Sequence, residues 1–237
     1  MGVLSLSGVG NAGFSPSTIP GLKYWFESWD PRTMITTSGG ATLCASDGDR
    51  CGRWLEKSGN GFDLQQPTDA NRVTYKTGGP NGVPYLRGAS AGALYLQVAS
   101  GLLALAQPST IFAVYRKYSG GAYVYDSALG SARNALLDNA GAEDMFAGAE
   151  LTGGTTNSNW RISTAQFYGI ASKLRIDGVQ VASGDAGTAS MDGITIGHNS
   201  GSGNDVDVAA LLVYNAALTA PQIAQIERYL NSHTRIF

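Results

Sequence analysis

The sequence is poor in charged residues, which make up 14% of the 237 positions and give a formal net charge of −2. Binding to nucleic acid requires a concentrated positive field on one face of a protein. Here the Lys and Arg residues are scattered along the chain. We therefore expect no nucleic-acid partner.

Long hydrophobic runs are also missing. A helix needs roughly 18 consecutive apolar residues to span a bilayer, and no stretch approaches that length. The first residues, MGVLSLSGVGNAGFSPS, lack the basic region and the compact apolar region of a signal peptide. We therefore expect no membrane insertion. If the protein works outside a cell, we expect it to leave by another route, such as the release of phage particles by lysis.

Only two cysteines occur, Cys44 and Cys51, and they lie in a loop rich in Gly and Asp. The sequence leaves two alternatives open, a small-loop disulfide or two free thiols in a protein that is assembled in the cytoplasm. Two cysteines without a nearby histidine do not favour a zinc site.

Glycine is abundant, with 32 residues, about twice the usual share for a soluble domain. Hydrophobic residues reach 43%, enough for a full core. Many tight turns combined with a large core indicate a single all-β domain, because β-sandwiches of this size commonly fold as one unit.

Short apolar runs alternate with turn residues along the chain, as in a β-sandwich. Residues 109–116 (STIFAVYR) predict a central strand because they are apolar on both faces. The segment KLRIDGVQVA predicts a hairpin with a type I′ turn at Asp177 and Gly178. Residues 206–214 predict another strand.

One helix is predicted at the C-terminus. Thr219 and Gln222 form a capping-box pair, and Pro221 stands in the first turn. The apolar stripe of this helix consists of Ile223, Ile226 and Leu230. The sequence therefore predicts an all-β, two-sheet antiparallel sandwich with one short C-terminal helix that docks on it.

Residues 1–18 differ from the rest because they are rich in Gly and Ser and show no apolar period. They still carry large apolar side chains, among them Val3, Leu4, Leu6, Val9 and Phe14. We interpret them as an N-terminal arm that docks on a partner or a neighbouring copy, with the sandwich domain over residues 19–237.

Six segments, in order over residues 19–233, resemble one known superfamily. IPGLKYWFESWDP resembles its opening strand, and RWLEKSGNG resembles its W-x-D-K-S-G-N-G segment, with Glu56 where Asp is commoner. STIFAVYR, KLRIDG, DGITIGHN and VAALLVYNAALTAPQIAQIERYL follow. The chain thus resembles the concanavalin A-like lectin/glucanase superfamily, especially the laminin-G-like jelly-roll domains of phage and bacterial surface proteins. The resemblance implies a jelly-roll sandwich but no single function, since the superfamily hosts lectins, glycosidases and structural domains.

Catalytic residues are not predicted. Retaining glucanases of this superfamily set two carboxyl groups about 5 to 5.5 Å apart with an E-x-D-x-x-E strand, which is missing here. Glu143 and Asp144 are adjacent and would point to opposite faces of a strand, and Glu150 is separate. Neither His198 nor His233 stands in a nucleophile arrangement. We therefore predict a protein that is not an enzyme.

A carbohydrate-binding face needs an exposed aromatic ring with planar polar groups beside it. Trp160 lies in the polar run TTNSNWRIS, and Arg161, Tyr168, Arg133 and Asp126 are predicted on neighbouring strands. These five residues are our candidate ligand-binding set. The alternative is that Trp160 only covers an edge of the sandwich.

The loop GHNSGSGNDVD collects four side chains with oxygen atoms of the kind that Ca²⁺ accepts, Asn199, Asn204, Asp205 and Asp207. The alternative is a turn in which these residues cap their own backbone. No other cofactor is expected.

Taken together, these patterns favour a non-enzymatic protein of a virion surface, either a capsid decoration or a tail-associated attachment module. Its expected partners are capsid or tail proteins, copies of itself in a homo-oligomer, and cell-surface glycans. One alternative is an extracellular carbohydrate-binding lectin secreted by a bacterium, and another is a divergent glycoside hydrolase.

Overall fold

The computed structural model describes residues 13–102, 104–118, 123–128, 133–139, 141–198 and 203–237. Within these ranges the chain forms strands, short 3-10 helices and a single α-helix, α1 (Ala220–Thr234). The 3-10 helices are Pro16–Thr18, Pro31–Thr33, Asp69–Asn71, Pro80–Gly82 and Gly169–Ala171. No helix in the described ranges is long and apolar enough to cross a membrane.

The strands are short in the first half of the chain and longer in the second. In chain order they are β1 (Leu22–Glu27), β2 (Met34–Ile35), β3 (Arg50–Cys51), β4 (Arg53–Trp54), β5 (Leu64–Gln65), β6 (Val73–Lys76), β7 (Tyr85–Arg87), β8 (Leu96–Val98), β9 (Ala104–Leu105) and β10 (Ser109–Lys117). They continue with β11 (Tyr123–Asp126), β12 (Ala135–Asn139), β13 (Ala142–Phe146), β14 (Glu150–Thr155), β15 (Arg161–Phe167), β16 (Ser172–Ile176), β17 (Val179–Gly184), β18 (Met191–Asp192), β19 (Ile194–Ile196) and β20 (Val206–Tyr214).

The strands form two large antiparallel sheets and one small one. Sheet I has the order β17-β16-β15-β10-β20-β7-β6-β3, and β1 also pairs with β20. Sheet II has the order β14-β13-β12-β11-β19-β8-β5-β4-β2, while β18 and β9 pair separately. The inner faces of both large sheets share one hydrophobic core. The predicted two-sheet antiparallel sandwich with one C-terminal helix is confirmed.

Strand β10 lies in the middle of sheet I, between β15 and β20. Ile111 and Ala113 face the core between the sheets, and Phe112 and Val114 face the other side of sheet I. Because both faces are covered, the strand is apolar along nearly its whole length. The central strand predicted over residues 109–116 is confirmed.

Helix α1 covers the outer face of sheet I. Its buried residues Ile223, Ile226 and Leu230 pack in one cluster with Phe112 and Leu212 of the sheet. At its N-terminus the backbone N–H of Thr219 donates to Oε1 of Gln222 at 2.9 Å, as in a capping box. The predicted docking of this helix is confirmed.

The hairpin between β16 and β17 turns at Asp177 and Gly178, whose φ angles are 50° and 78°. A type I′ turn requires two such left-handed residues, and Gly178 adopts this conformation without strain. Oδ1 of Asp177 accepts a hydrogen bond of 2.8 Å from the backbone N–H of Ile162, which holds the turn against β15. The predicted hairpin is present.

The described part of the predicted N-terminal arm, residues 13–18, lies against the domain. The hydroxyl of Tyr214 donates to the carbonyl oxygen of Pro16 at 2.9 Å. The ring of Phe14 packs edge-on against Tyr229, with ring centroids 5.8 Å apart. Residues 1–12 lie outside the described residues, and the docking role of the arm stays a prediction.

Candidate functional site

The predicted ligand-binding residues do not share one surface. Trp160 lies on the outer side of sheet I, where its ring packs edge-on against Tyr85 at 5.2 Å and contacts the guanidinium of Arg116 at 5.2 Å. Arg161 is buried on the inner face, where Nη1 donates to Oε1 of Glu143 at 3.2 Å. Trp160 immediately precedes β15, which begins at Arg161, and the two side chains lie on opposite sides of sheet I.

The other three members of that set lie elsewhere. Asp126 and Arg133 form an ion pair on the outer face of sheet II, with Oδ2 and Nη2 2.7 Å apart. Burial raises the pKa of Asp126, and the hydrogen bonds from Arg133 oppose that rise. Tyr168 follows β15 and is 53% exposed. The structure therefore distributes the five residues over separate surfaces, and only the Asp126–Arg133 pair forms a direct contact.

The predicted calcium ligands are also engaged in other contacts. Asp207 is fully buried in sheet I, and its two oxygens accept from Arg87 and Arg116. Asp205 accepts hydrogen bonds from the backbone and hydroxyl of Ser90, Asn204 is buried, and Asn199 lies outside the described residues. No group of three or more His, Cys, Asp or Glu residues in the described ranges could hold a metal ion. Calcium binding stays a prediction.

The two cysteines are buried, and their thiols are free. Cys51 donates to the carbonyl oxygen of Arg53 at 3.4 Å. A hydrogen bond with Cys44, together with burial, raises the pKa of the Cys51 thiol. Of the two alternatives left open by the sequence, the structure shows unbridged thiols.

The carboxylates considered for catalysis are divided between two faces of sheet II. Glu143 lies on one face of β13, and Asp144 shares the opposite face with Glu150, which lies diagonal to it on β14. Glu143 points into the interior, where it accepts from Tyr115 and Lys117. Asp144 belongs to the opposite face of β13 and lies opposite Thr152. Glu150 is exposed and accepts from the side-chain amide of Asn139 at 3.3 Å.

A row of polar side chains crosses the outer face of sheet II, and we call it the polar row. It consists of Arg53, Gln65, Gln97, Thr195 and Asp126, each directly opposite the next on neighbouring strands. Directly opposed residues of an antiparallel pair project from the same face. Their neighbours along the strands, such as Trp54, Leu64 and Leu96, enter the core.

The polar row opens into a cleft at Gln65 and Gln97. The cleft has a volume of about 390 Å³. Its lining includes Asp63, Gln65, Gln97, Pro67, Tyr95 and Leu102. Loop residues on either side of β5 and β8 form its walls, so the cleft lies above these two neighbouring strands of sheet II.

Three glutamines line the cleft, and the amides of two of them, Gln65 and Gln97, have no hydrogen-bond partner within the described residues, whereas Gln66 accepts from the backbone N–H of Thr68 at 3.0 Å. Asp63, by contrast, accepts from Nε of Arg53 and from the backbone N–H of Glu56, both at 2.8 Å. Each amide offers one acceptor and two donors. Gln65 and Gln97 therefore present paired donors and acceptors to whatever enters the cleft.

Tyr95 and Leu102 give the cleft its apolar side. Tyr95 is half-buried, and its ring packs against that of His198 with centroids 5.0 Å apart. Leu102 is 53% exposed. The cleft thus combines an aromatic ring that packs against a neighbouring ring with two unpaired amide groups on neighbouring strands.

Sequence reasoning did not identify Gln65, Gln97 and Tyr95. The available signal was local alternation, because the segments DLQQ and YLQV place a glutamine next to a buried leucine or valine. That signal marks each glutamine as facing outward but does not reveal that β5 pairs with β8.

No protein-family model matches the chain, and no curated protein matches it by sequence. The fold is similar to several solved structures. Trypanosoma rangeli sialidase matches with 13% identity and a TM-score of 0.52, over 90% of this chain and 33% of that chain. The binding domain of Paraclostridial Mosquitocidal Protein 1 matches with 14% identity and a TM-score of 0.60, over 92% and 53% respectively.

A third similar structure is domain 4 of AbnA, a GH43 extracellular arabinanase from Geobacillus stearothermophilus, in complex with arabinotriose. The identity is 15% and the TM-score 0.56, over 87% of this chain and 98% of that chain. The present chain thus spans only about a third of the sialidase but nearly the whole arabinanase domain. At these identities the likeness shows the fold of the domain.

Proposed function

We propose that this domain binds saccharide chains in the cleft of sheet II and has no catalytic activity of its own. The observation that carries the proposal is the pair of unpartnered amides, Gln65 and Gln97, which lie directly opposite each other beside Tyr95. Neighbouring hydroxyl groups on a sugar ring can accept from and donate to such amides in pairs. The apolar face of the sugar would lie against the tyrosine ring.

Some side chains of the cleft are already held in place before a ligand binds. Arg53 and the backbone of Glu56 fix Asp63, and packing against His198 fixes Tyr95. A site whose groups are already held in place loses less conformational entropy when a ligand binds. A short saccharide would contact few groups in this cleft. Single substitutions of those groups therefore test the proposal.

One similar structure supports this assignment. Domain 4 of the Geobacillus arabinanase is known in complex with arabinotriose, and the likeness covers 98% of that domain. A whole domain of the same fold therefore holds a saccharide. Because fold alone does not fix function, the cleft residues themselves carry the proposal.

The absence of catalysis is proposed from the composition of the cleft. Among its described lining residues, Asp63 is the only carboxylate, and it is bonded to Arg53. Retaining glycoside hydrolases commonly need two carboxyl groups about 5 to 5.5 Å apart. A divergent glycoside hydrolase is therefore disfavoured.

Membership of the concanavalin A-like superfamily is part of the proposal, supported by the ordered segments over residues 19–233 and by the two-sheet fold. A place on a virion surface, with capsid or tail proteins and neighbouring copies as partners, stays a prediction. So does the alternative of an extracellular lectin. Mass spectrometry of purified particles would decide between these two locations.

The test of saccharide binding is titration calorimetry with a panel of neutral oligosaccharides, arabinotriose included, against the full chain. Each of Gln65→Ala and Gln97→Ala is expected to weaken binding about 2- to 10-fold, the value of one or two lost hydrogen bonds. Gln180→Ala, an exposed glutamine of sheet I, is the matched control and should leave affinity unchanged.

Two results would contradict the proposal. One is the failure of every saccharide in the panel to bind, and the other is unchanged affinity in the double variant Gln65→Ala/Gln97→Ala. Chromatography of the same mixtures tests catalysis, since release of shorter saccharides by the wild-type chain would show hydrolysis.

A further inference from the structure

A second polar row crosses the outer face of sheet I, on the side opposite the cleft. Arg116 of β10, Asp207 of β20 and Arg87 of β7 lie directly opposite one another. The row continues through Thr74 to Arg50. Val114, two residues before Arg116 on the same face, lies in the cluster beneath α1. This second row, which we call the arginine row, is thus the continuation of the helix-covered face.

The arginine row carries more positive than negative charge. Asp207 is fully buried, and its oxygens accept from Nε of Arg87 and Nε of Arg116, each at 2.7 Å. Two guanidinium groups therefore share one carboxylate. The row has a third cation in Arg50, and a second anion, Asp205, lies beside it. Three positive charges and two negative charges leave an excess of one positive charge.

Aromatic rings separate and orient the guanidinium groups. Arg87 lies over the ring of Tyr118 at 4.4 Å and also contacts Tyr85 at 5.7 Å. Arg116 contacts Tyr85 at 5.5 Å and Trp160 at 5.2 Å. The order across the surface is therefore Tyr118, Arg87, Tyr85, Arg116 and Trp160. Stacking on aromatic faces is a favourable use of guanidinium groups and keeps their planes fixed.

The two guanidinium groups keep unused donors. Within the described residues, no acceptor takes a hydrogen bond from Nη1 of Arg87 or Nη1 of Arg116, although Nε of each is bonded to Asp207. Both arginine side chains are about 30% exposed. Tyr118 is 37% exposed, and Trp160 is half-buried. The guanidinium N–H donors and the aromatic rings are therefore accessible on the same surface.

We propose that the arginine row is a second binding site, for an acidic saccharide that carries carboxylate groups, such as an oligomer of uronic acid. A planar carboxylate matches the fixed donors of a guanidinium and gains charge-assisted hydrogen bonds. The sugar rings of the oligomer have apolar C–H faces, and these fit against Trp160 and Tyr118. This site is independent of the saccharide cleft, which lies on the other sheet.

The test is titration calorimetry of the full chain with oligogalacturonate, with its methyl ester, and with a sulfated oligosaccharide that lacks carboxylates. Oligogalacturonate should bind at least about tenfold more tightly than either of the other probes, and its affinity should fall as salt rises, because the attraction is partly ionic. Equal binding of the methyl ester, or tighter binding of the sulfated probe, would overturn the proposal.

The residues are tested by substitution. Arg116→Lys keeps the charge beside Asp207 but removes the planar donors, and Trp160→Ala removes the ring; each should weaken oligogalacturonate binding about tenfold. Lys173→Gln, which removes an exposed cation elsewhere on sheet I, is the matched control. Similar losses in the control and in Arg116→Lys would show attraction without a site and overturn the assignment.

Folding of each variant is checked by its melting temperature. If Arg116→Lys does not fold, Tyr118→Ala tests the same site by removing the exposed ring that lies under Arg87. Unchanged affinity in that variant would also overturn the proposal. Gln65→Ala/Gln97→Ala should bind oligogalacturonate as the wild type does. If that variant no longer bound oligogalacturonate, the acidic saccharide would be shown to bind in the cleft instead.

Discussion

Lys117 of sheet I donates a hydrogen bond to Glu143 of sheet II across the interior, with Nζ and Oε2 2.9 Å apart. Tyr115 and Arg161 donate to the other oxygen of Glu143 at 2.8 and 3.2 Å. All four side chains are buried. The two sheets are therefore joined by a charged contact in addition to their shared hydrophobic core.

We predict that Glu143→Ala destabilises the protein by about 3 to 5 kcal/mol, because it removes the ion-pair partner of the buried Arg161 and the nearer of the two carboxylates beside the buried Lys117. Lys117 keeps Asp138, whose Oδ2 lies 3.6 Å from Nζ. Urea unfolding followed by fluorescence measures the free energy of unfolding. Glu150→Ala, at an exposed glutamate of the neighbouring strand, is the matched control, with an expected change within about 0.5 kcal/mol. Similar small changes in both variants would show that the contact contributes little.

We predict that Ile226→Ala lowers the free energy of unfolding by about 2 to 5 kcal/mol, since Ile226 is fully buried between α1 and sheet I. Arg228→Ala, on the exposed side of the same helix, should change it by no more than about 0.5 kcal/mol. The same urea measurement applies. Equal stability of the two variants would mean that the helix does not stabilise the sandwich.

The elements predicted correctly from sequence have local signals. The β16–β17 hairpin depends on two adjacent turn residues, Asp177 and Gly178, and α1 depends on a capping pair and one stripe within a single segment. Strand β10 is recognisable because it is apolar on both faces. In each case the residues that decide the structure are close together in the chain.

The candidate sites depend instead on strand pairing. Trp160 and Arg161 are neighbours in sequence, yet one lies over Tyr85 and the other reaches Glu143 through the core. Gln65 becomes the neighbour of Gln97 only because β5 pairs with β8. No residue within either strand specifies that partner, so the cleft could not be derived from local patterns.

We predict that stability falls as the pH drops below the ordinary pKa of histidine, through His233. Its ring stacks on Trp29 at 4.6 Å and contacts Tyr229 at 5.1 Å. Burial lowers the pKa of His233 from 6.5, and Lys57 acts in the same direction, while Glu27 opposes it. The unfolded chain then binds more protons than the folded one below about pH 6.5, so acid favours unfolding.

The measurement is the urea midpoint at about pH 7.5 and about pH 5.5 for the wild type and for His233→Phe, which keeps the stacking but does not titrate. The wild type should lose more stability between these two conditions than the variant does. Identical losses would contradict a role for His233. Because other groups also titrate, the informative quantity is the difference between the two proteins.

We predict that both thiols resist modification in the folded protein and react after unfolding. Cys44 and Cys51 are buried, and the raised pKa of Cys51 keeps its thiol protonated, whereas the thiolate is the reactive form. The protein is treated with an alkylating reagent in the absence of reductant, once in native buffer and once in denaturant. Intact mass spectrometry then gives the number of alkyl groups added. A denatured protein that takes up no alkyl groups would indicate a disulfide.

We predict that Phe14→Ala lowers the free energy of unfolding by about 1 to 2 kcal/mol, since the ring of Phe14 is partly buried against Tyr229. Ser17→Ala, at an exposed position of the same segment, is the matched control. Truncation before residue 13 keeps the Phe14 ring and the hydrogen bond from Tyr214 to Pro16, so the melting temperature of that form should match the full chain.

The truncated form also tests whether the arm docks on a partner or a neighbouring copy. If residues 1–12 carry that role, apolar side chains such as Val3, Leu4, Leu6 and Val9 must contribute enough burial to offset about 1 to 2 kcal/mol per ordered residue. Light scattering measures the assembly of both forms. The truncated chain should then assemble more weakly than the full chain, with the same melting temperature. Equal assembly would assign the arm no docking role, and a lower melting temperature would make residues 1–12 part of the folded domain.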